Sequence, residues 1–408
     1  MSSSTEVTRS SGGTGPSRRL KRRGFVLLLG ILLVAFLPMI GALWRWGGLP
    51  PGWQHFPPST SGHQKPPFDL AYFVACAAVG LVVVAFLLFP GLFGFRKRVA
   101  PRQRAARGRL PWWFWGGLVL GAVSWWLHWW GPVSWARFSF LTLWWGLIIV
   151  VDGLVYYRAR GRSLLSIGKL RMPAIAGVSI PVWLFFEFLN YYAIEFWVYP
   201  SNQIFSQDGQ AIWALISFSV VLPAIFEWYS LLHTFDGLRC RWSRGPSVRF
   251  SSGKLAVAVV AGVIALVLFG AFPFQLFVVL WLAPPIVLTA ALALFGAWTP
   301  IRPIKNGNWT NVVLVGLASL ISGLFWEVWN YGSRFFQGGY QTNPNYWFYQ
   351  IPYVDEVHVF SEMPILGYLG YLPFGFLAWV CWLIVATVYR LPRQFDMTRC
   401  HPGRNVDA

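Results

Sequence analysis

The sequence predicts an all-α protein, a polytopic transmembrane helical bundle of about ten spans, and three observations support this. Hydrophobic residues make up 56% of the 408 residues and charged residues only 12%, against roughly 25% charged in an ordinary soluble protein. The apolar residues form runs of about 20, the length that crosses a bilayer as a helix. Basic residues collect between alternate runs. This composition excludes a soluble globular enzyme, a disordered chain and a coiled coil.

Apolar runs long enough to cross a membrane follow one another along most of the chain. The predicted spans are 25–44, 69–89, 111–130, 138–157, 174–192, 211–232, 255–272, 274–295, 309–329 and 363–389. The seventh and eighth are separated by Pro273, and because proline interrupts a helix we expect a tight hairpin there.

The chain is strongly basic, with a formal charge of +19. If the N-terminus is placed inside, 29 of the 33 Lys and Arg residues fall in segments predicted to be inside. This asymmetry predicts a bacterial cytoplasmic (inner) membrane protein whose N- and C-termini are both cytoplasmic. It also accounts for the net charge, so the expected partners are membrane lipids and not nucleic acid.

The predicted spans and their orientation divide the chain into five parts. They are a disordered basic tail at 1–24, a two-span hairpin at 25–95, four-span units at 110–235 and 255–390, and a cytoplasmic tail at 391–408. The four cysteines show neither metal nor disulfide spacing, and no HExxH motif, GxSxG motif or P-loop occurs. We therefore expect no metal and no cofactor.

The two four-span units resemble each other. Phe186–Tyr191 and Trp326–Tyr331 share the pattern aromatic-Glu-x-x-Asn-Tyr at an offset of 140, near the outer ends of their spans. Leu222–Phe226 matches Leu372–Phe376 at an offset of 150. Because each unit has an even number of spans, the pattern predicts a parallel internal repeat (spans 3–6 and 7–10) with a pseudo-two-fold axis along the membrane normal.

Carboxylates at membrane depth are candidate functional residues, because an unpaired charge in hydrocarbon costs several kcal/mol. Those at depth or at its edge are Asp152, Glu187, Glu227, Glu327 and Glu362. Glu362 stands just before Pro364, which suits the start of the last helix and its dipole.

The two repeated motifs each place a carboxylate and an amide on one helix face. Glu187 and Asn190 are three residues apart, as are Glu327 and Asn330, and this spacing aligns side chains on a helix. Under the repeat these faces should meet near the axis. Two interpretations remain open: interhelical hydrogen bonds that hold the repeats together, and a functional carboxylate cluster.

Part of the second unit resembles a largely uncharacterised family of bacterial polytopic inner-membrane proteins. The residues that carry the resemblance are Phe325–Tyr331 followed by Ser361–Phe374, with Asp152–Tyr157 and Gly161–Leu165 matching the family's first half. The resemblance covers about 138–390. It implies an inner-membrane location and no established activity.

A weaker similarity is to the lycopene cyclase domain of membrane-embedded carotenoid cyclases. Glu187, the loop with Trp197 and Tyr199, and Pro223 with Glu227 are arranged in a similar way. The cyclases carry a pair of acids after the proline, whereas Glu227 is a single acid. The resemblance implies cyclase chemistry on a polyisoprenoid, with roles for Glu187 and Glu227.

The leading functional hypothesis is an enzyme that acts on a polyisoprenoid or long-chain lipid by carboxylic acid/base chemistry, as a cyclase or an isomerase. Such chemistry needs an acid in a dry site and aromatic faces to stabilise a carbocation. The candidate catalytic residues are Glu187, Asn190, Glu227, Glu327, Asn330 and Glu362. The alternatives are a proton- or ion-coupled transporter or channel, and a non-catalytic membrane scaffold.

Overall fold

A computed structural model describes residues 16–49, 65–96, 108–200, 205–333 and 343–397. This part of the chain is an all-α helical bundle, which confirms the predicted fold class. Within it, eight helices are long and apolar enough to cross a membrane. Most of the predicted tail at 1–24, the first outer loop and the end of the tail at 391–408 lie outside the described residues.

Long apolar helices dominate the fold because a helix satisfies every backbone group within itself, as hydrocarbon requires. The helices are α1 (Pro16–Trp46), α2 (Leu70–Leu88), α3 (Trp112–Trp130), α4 (Val133–Ala136), α5 (Ser139–Arg158), α6 (Arg171–Tyr192), α7 (Gln207–Phe218), α8 (Val221–His233), α9 (Asp236–Arg241), α10 (Ser252–Ala271), α11 (Val279–Leu294), α12 (Thr310–Gly332) and α13 (Tyr371–Tyr389). Short 3-10 helices occupy Pro90–Phe93, Arg302–Asn306 and Ile365–Gly370. The strands are β1 (Trp197–Val198) and β2 (Phe348–Tyr349).

Eight of the ten predicted spans coincide with one helix each, the span at 211–232 covers α7 and α8, and the span at 363–389 covers a 3-10 helix and α13, while the number that cross the membrane stays a prediction. The eight apolar helices include α7 and α8 taken together as one long segment, Asp208–His233. Two predicted spans, α3 and α11, are not among the eight. Helix α3 is rich in tryptophan. Helix α11 has 16 residues, which span about 24 Å against the roughly 30 Å of a hydrocarbon core.

The chain termini differ from their predicted description. Helix α1 begins at Pro16, so the end of the tail predicted to be disordered is helical. Residues 391–397 return into the bundle: Phe395 is fully buried and stacks on Phe226 at 3.9 Å between ring centroids. Trp379 Nε1 and Trp382 Nε1 donate to the backbone oxygens of Arg393 and Pro392. Phe395 and Met397 of this segment are therefore part of the core.

The last predicted span also begins differently. Pro364 starts a 3-10 helix with no side-chain cap, and the α-helix begins only at Tyr371. Glu362 thus precedes a 3-10 turn and caps no α-helix. The hairpin predicted at Pro273 is present, because α10 ends at Ala271 and α11 begins at Val279.

The helices of the two predicted units pack in a similar order. Helix α3 packs on α5 as α10 packs on α11, and α6 packs on α8 as α12 packs on α13. Helix α12 crosses between the units to contact α8, and α1 covers α10 and α13. Helix α2 stands apart: Gly80 is its one buried residue, and its main neighbours are the 3-10 helices at Pro90–Phe93 and Ile365–Gly370.

Candidate functional site

Two short strands join the ends of the repeated motifs. Strand β1 follows α6 and pairs in antiparallel register with β2, which follows α12, with Trp197 opposite Tyr349. The segment between α12 and the last 3-10 helix thus folds back over the bundle in its described part, 343–362. We call this region the strand-pair end of the bundle, and it brings Glu187 and Glu327 toward a common centre.

The two asparagines hold these strands to their helices in the same way. Asn190 Nδ2 donates to Trp197 O at 2.8 Å, and Asn190 Oδ1 accepts from Phe196 N at 2.8 Å. Asn330 Nδ2 donates to Trp347 O at 2.7 Å, and its Oδ1 accepts from Trp347 N at 3.1 Å. The amide groups of both asparagines are therefore used by the backbone at the start of the strands.

Glu187 is buried and receives several donors from aromatic side chains. Trp183 Nε1 donates to Oε1 at 2.7 Å, and Trp197 Nε1 lies 3.2 Å from Oε1 and 3.1 Å from Oε2. The hydroxyl of Tyr199 also donates to Oε1. Both carboxyl oxygens of Glu187 are therefore hydrogen-bonded, and three aromatic side chains fix their position.

Glu327 is also buried, but its donors are unequally distributed. The hydroxyls of Tyr349 and Tyr371 both donate to Oε1 at 2.7 Å, and Trp347 Nε1 donates to the Tyr349 hydroxyl at 2.9 Å. Within the described chain, Oε2 has no donor at hydrogen-bonding distance. Glu362 lies close enough for its charge to act on this carboxyl group. One oxygen of Glu327 is thus available to carry a proton.

Tyr199 and Tyr349 remain protonated over the physiological pH range. Burial, reinforced by the neighbouring charge of Glu187, holds the pKa of Tyr199 well above its ordinary value. Burial and the charge of Glu327 do the same for the pKa of Tyr349. Each phenol is therefore a donor that faces a glutamate.

These tyrosines line a small aromatic chamber of about 70 Å³ between the two units. Its walls include Trp183, Trp326, Tyr199, Tyr349 and Tyr371. The glutamates stand behind this wall and do not line the chamber themselves. The volume exceeds the roughly 30 Å³ share of one water molecule and suits a few carbon atoms.

A larger apolar groove of about 560 Å³ adjoins the chamber. Trp197, Trp281, Tyr349 and Met363 line both cavities, so these four side chains form the boundary between them. The groove exists because α2 stands off from the bundle. Its volume falls within the roughly 300–1,000 Å³ of small-molecule sites.

The structure places Glu227 outside this site. Val221 of α8 lines the chamber, and Glu227 lies about 9 Å further along the same helix. It is fully buried beside Asp152 and Arg171. Glu227, the third acid among the candidate catalytic residues, is therefore set apart from the chamber by its position along α8.

Sequence reasoning missed the aromatic donors around the glutamates. A signal for them was present: Phe196–Tyr199 and Tyr346–Tyr349 share the pattern aromatic-Trp-x-Tyr at an offset of 150, which is also the offset of the Leu-Pro motif. Trp183 and Tyr371 have no such signal, because each reaches its glutamate from within an apolar helix.

Within the described ranges, no group of three or more His, Cys, Asp or Glu side chains could hold a metal ion. No family model, curated protein or solved structure matches this chain.

Proposed function

We propose that the chain is an integral membrane enzyme that isomerises or cyclises a polyisoprenoid or other long-chain lipid by proton transfer. One observation carries this proposal: two buried glutamates, each held by at least one tyrosine hydroxyl, stand behind the wall of an aromatic chamber that adjoins an apolar groove. A groove of this lining would take a hydrocarbon chain, and the chamber would take its reacting segment.

The tyrosines would be the groups that touch the substrate. Tyr349, backed by Glu327, would give a proton to a double bond in the chamber, and Glu327 would replace the proton on the phenol. Tyr199 would take a proton from a neighbouring carbon while its own hydroxyl proton passes to the Glu187 carboxylate. The lipid gains one proton and loses one, so a shifted double bond or a closed ring needs no further reactant, and the return of one proton from Glu187 to Glu327 resets the site.

The remaining wall of the chamber suits a cationic intermediate. The rings of Trp183 and Trp326 lie 6.0 Å apart, and Trp326 stacks on Tyr371. Aromatic faces attract a nearby cation by about 0.5–2 kcal/mol each, and a site without water protects a carbocation from hydrolysis. Asn190 and Asn330 would be positioning residues, and Glu362 would adjust the charge near Glu327.

We further propose that the protein lies in a bacterial inner membrane with both termini cytoplasmic and that its two four-span units are a parallel repeat. The basic segments support the orientation. The duplicated asparagine bonds and the similar packing order of the helices support the repeat.

A proton-coupled transporter is the second candidate, because a separate buried pair of acids lies deeper in the bundle. Asp152 accepts from Trp113 Nε1 at 2.9 Å and from Leu165 N at 2.9 Å, and it lies within reach of Glu227. Such a pair is a typical element of proton pathways. Proton uptake by proteoliposomes that Glu227→Gln abolishes would favour this candidate. Tolerance of glutamine at both Glu187 and Glu327 would favour a scaffold.

Mass spectrometry of lipid and pigment extracts tests the proposal. A deletion strain would be complemented with wild type, with the Glu187→Gln, Glu327→Gln double variant, or with Asp208→Asn as an exposed control. We expect one lipid class to disappear on deletion, its precursor to accumulate, and only wild type and the control to restore it. Unchanged lipids in every strain would contradict the proposal.

A further inference from the structure

A polar pocket of about 360 Å³ lies at the mouth of the apolar groove. Ile351 lines both the pocket and the groove, and Tyr353 of the pocket stacks on Tyr72 of the groove with ring centroids 4.8 Å apart. A molecule with its chain in the groove could therefore place its end at this pocket. The polar side chains in the lining are Lys65, Gln350, Asp355 and Glu356.

Lys65 is tied into the wall of this pocket. Its Nζ donates to the backbone oxygen of Glu195 and lies 5.9 Å from the centre of the Phe196 ring. Burial lowers the pKa of Lys65 to about 7, although the charges of Glu195 and Asp355 act in the opposite direction. The lysine is therefore a weak cation that already has a partner.

Carboxylates outnumber the lysine around the pocket. Asp355 lies 3.2 Å from His358 Nε2, and burial raises the pKa of Asp355 to about 6. Glu356 lines the pocket, and the charge of Glu195 acts on Lys65. Three acids against one lysine leave the region net negative. A phosphate or carboxylate headgroup would be repelled, whereas a hydroxyl or an ammonium group could donate to these oxygens.

The backbone around the pocket is held in an unusual conformation. Ile194 and Glu195 have φ values of 55° and 59°, and Tyr353 has a φ of 66°. A positive φ is rare for a β-branched residue such as isoleucine. Such conformations persist where the surroundings over-determine them, and they cluster at binding sites. Here the Lys65 bond and the bond from Glu195 N to Asn190 O fix the turn.

We infer that this pocket binds the polar end of a lipid whose headgroup donates hydrogen bonds and carries no negative charge, a long-chain alcohol or amine. The lipid chain would then run through the groove toward the chamber. This inference rests on the proposed function, since it names the headgroup of that enzyme's substrate. It excludes phosphate and diphosphate esters of the same chain.

Tryptophan fluorescence tests the inference by binding alone, because Trp197 and Trp281 line the groove. Three probes that carry the same isoprenoid chain and differ only in the headgroup would be titrated into the full-length protein in micelles. They are the alcohol, the amine and the phosphate ester. We expect the alcohol and the amine to bind at least tenfold more tightly than the phosphate ester. Equal or tighter binding of the phosphate ester would overturn the inference.

Two variants that each remove one negative charge distinguish binding of the amine from binding of the alcohol. Asp355→Asn should weaken binding of the amine at least tenfold and binding of the alcohol by less. If Asp355→Asn does not fold, Glu356→Gln provides a second variant that lacks one acid. Asp208→Asn, exposed and outside the pocket, is the matched control. An unchanged amine affinity in both Asp355→Asn and Glu356→Gln would overturn the inference.

The outcomes for the pocket and for the reaction are distinguishable. If the headgroup preference holds while cellular lipids are unchanged by deletion, the pocket stands and the proposed reaction fails. If the enzyme converts a phosphate ester and the acid variants leave its turnover unchanged, the reaction stands and the inference about the pocket fails.

Discussion

Replacement of Asn190 by leucine should destabilise the protein and disorganise the site together. The change leaves Phe196 N and Trp197 O buried without partners. Each unsatisfied buried group costs about 1–3 kcal/mol, so the free energy of unfolding should fall by about 2–6 kcal/mol. Activity should fall as well, because Trp197 and Tyr199, which donate to Glu187, follow the released backbone.

Equilibrium unfolding in mixed micelles, followed by tryptophan fluorescence, measures this cost. The matched control is Asn311→Ala, because the Asn311 side chain is half-buried and accepts one hydrogen bond, from the Tyr229 hydroxyl. We expect that control to cost only about 0.5–1.5 kcal/mol. If Asn190→Leu costs no more than the control, the asparagine does not hold β1 and the reasoning is refuted.

Three further changes test other parts of the site. Tyr199→Phe keeps the ring but removes the hydroxyl, and it should slow lipid conversion by about 10²–10⁴-fold, the usual contribution of a general acid or base, in a mass-spectrometric turnover assay. Burial lowers the pKa of Lys65 from 10.5 to about 7 in the folded protein. Between pH 7 and pH 10 the unfolded chain therefore binds more protons than the folded one, so thermal stability should rise with pH in this range. Lys65→Met should remove this rise. Cys76→Trp should fill the groove and weaken binding of a long-chain alcohol at least tenfold in a fluorescence titration, whereas Val82→Trp, on an exposed face of α2 outside the groove lining, should not.

Each of these three predictions has a result that would contradict it. Wild-type turnover in Tyr199→Phe would remove the phenol from the mechanism. A rise in stability that persists in Lys65→Met would assign the pH dependence to other groups. Equal binding by the Cys76→Trp and Val82→Trp variants would show that the lipid chain does not occupy the groove.

The helical fold could be predicted because hydrocarbon leaves the backbone few choices. Runs of about 20 apolar residues must form helices, and each predicted span is helical over most of its length. The pairs Glu187 with Asn190 and Glu327 with Asn330 were also visible, since a buried acid and amide at helical spacing are rare in such a sequence. Their convergence at the strand-pair end agrees with the expected meeting of the two faces.

The chemistry around the glutamates could not be predicted as easily. Tyr349 reaches Glu327 because Asn330 holds Trp347 to α12 and β2 pairs with β1, and the strand pairing joins segments about 150 residues apart. The burial of Phe395 and Met397 was hidden for a different reason. Their neighbour Arg393 looks like a surface residue in the sequence, but its backbone oxygen accepts a hydrogen bond from Trp379 of α13.

Solvent-deuterium incorporation is the most direct test of the central claim that the tyrosine–glutamate pairs transfer protons to a lipid. Three kinds of membrane would be incubated in deuterated water: with wild type, with the Glu187→Gln, Glu327→Gln double variant, and with the Asp208→Asn control. Their lipids would then be analysed by mass spectrometry. We predict one lipid that gains deuterium with wild type and the control but not with the double variant. Equal incorporation in all three, or none with wild type, would contradict the account.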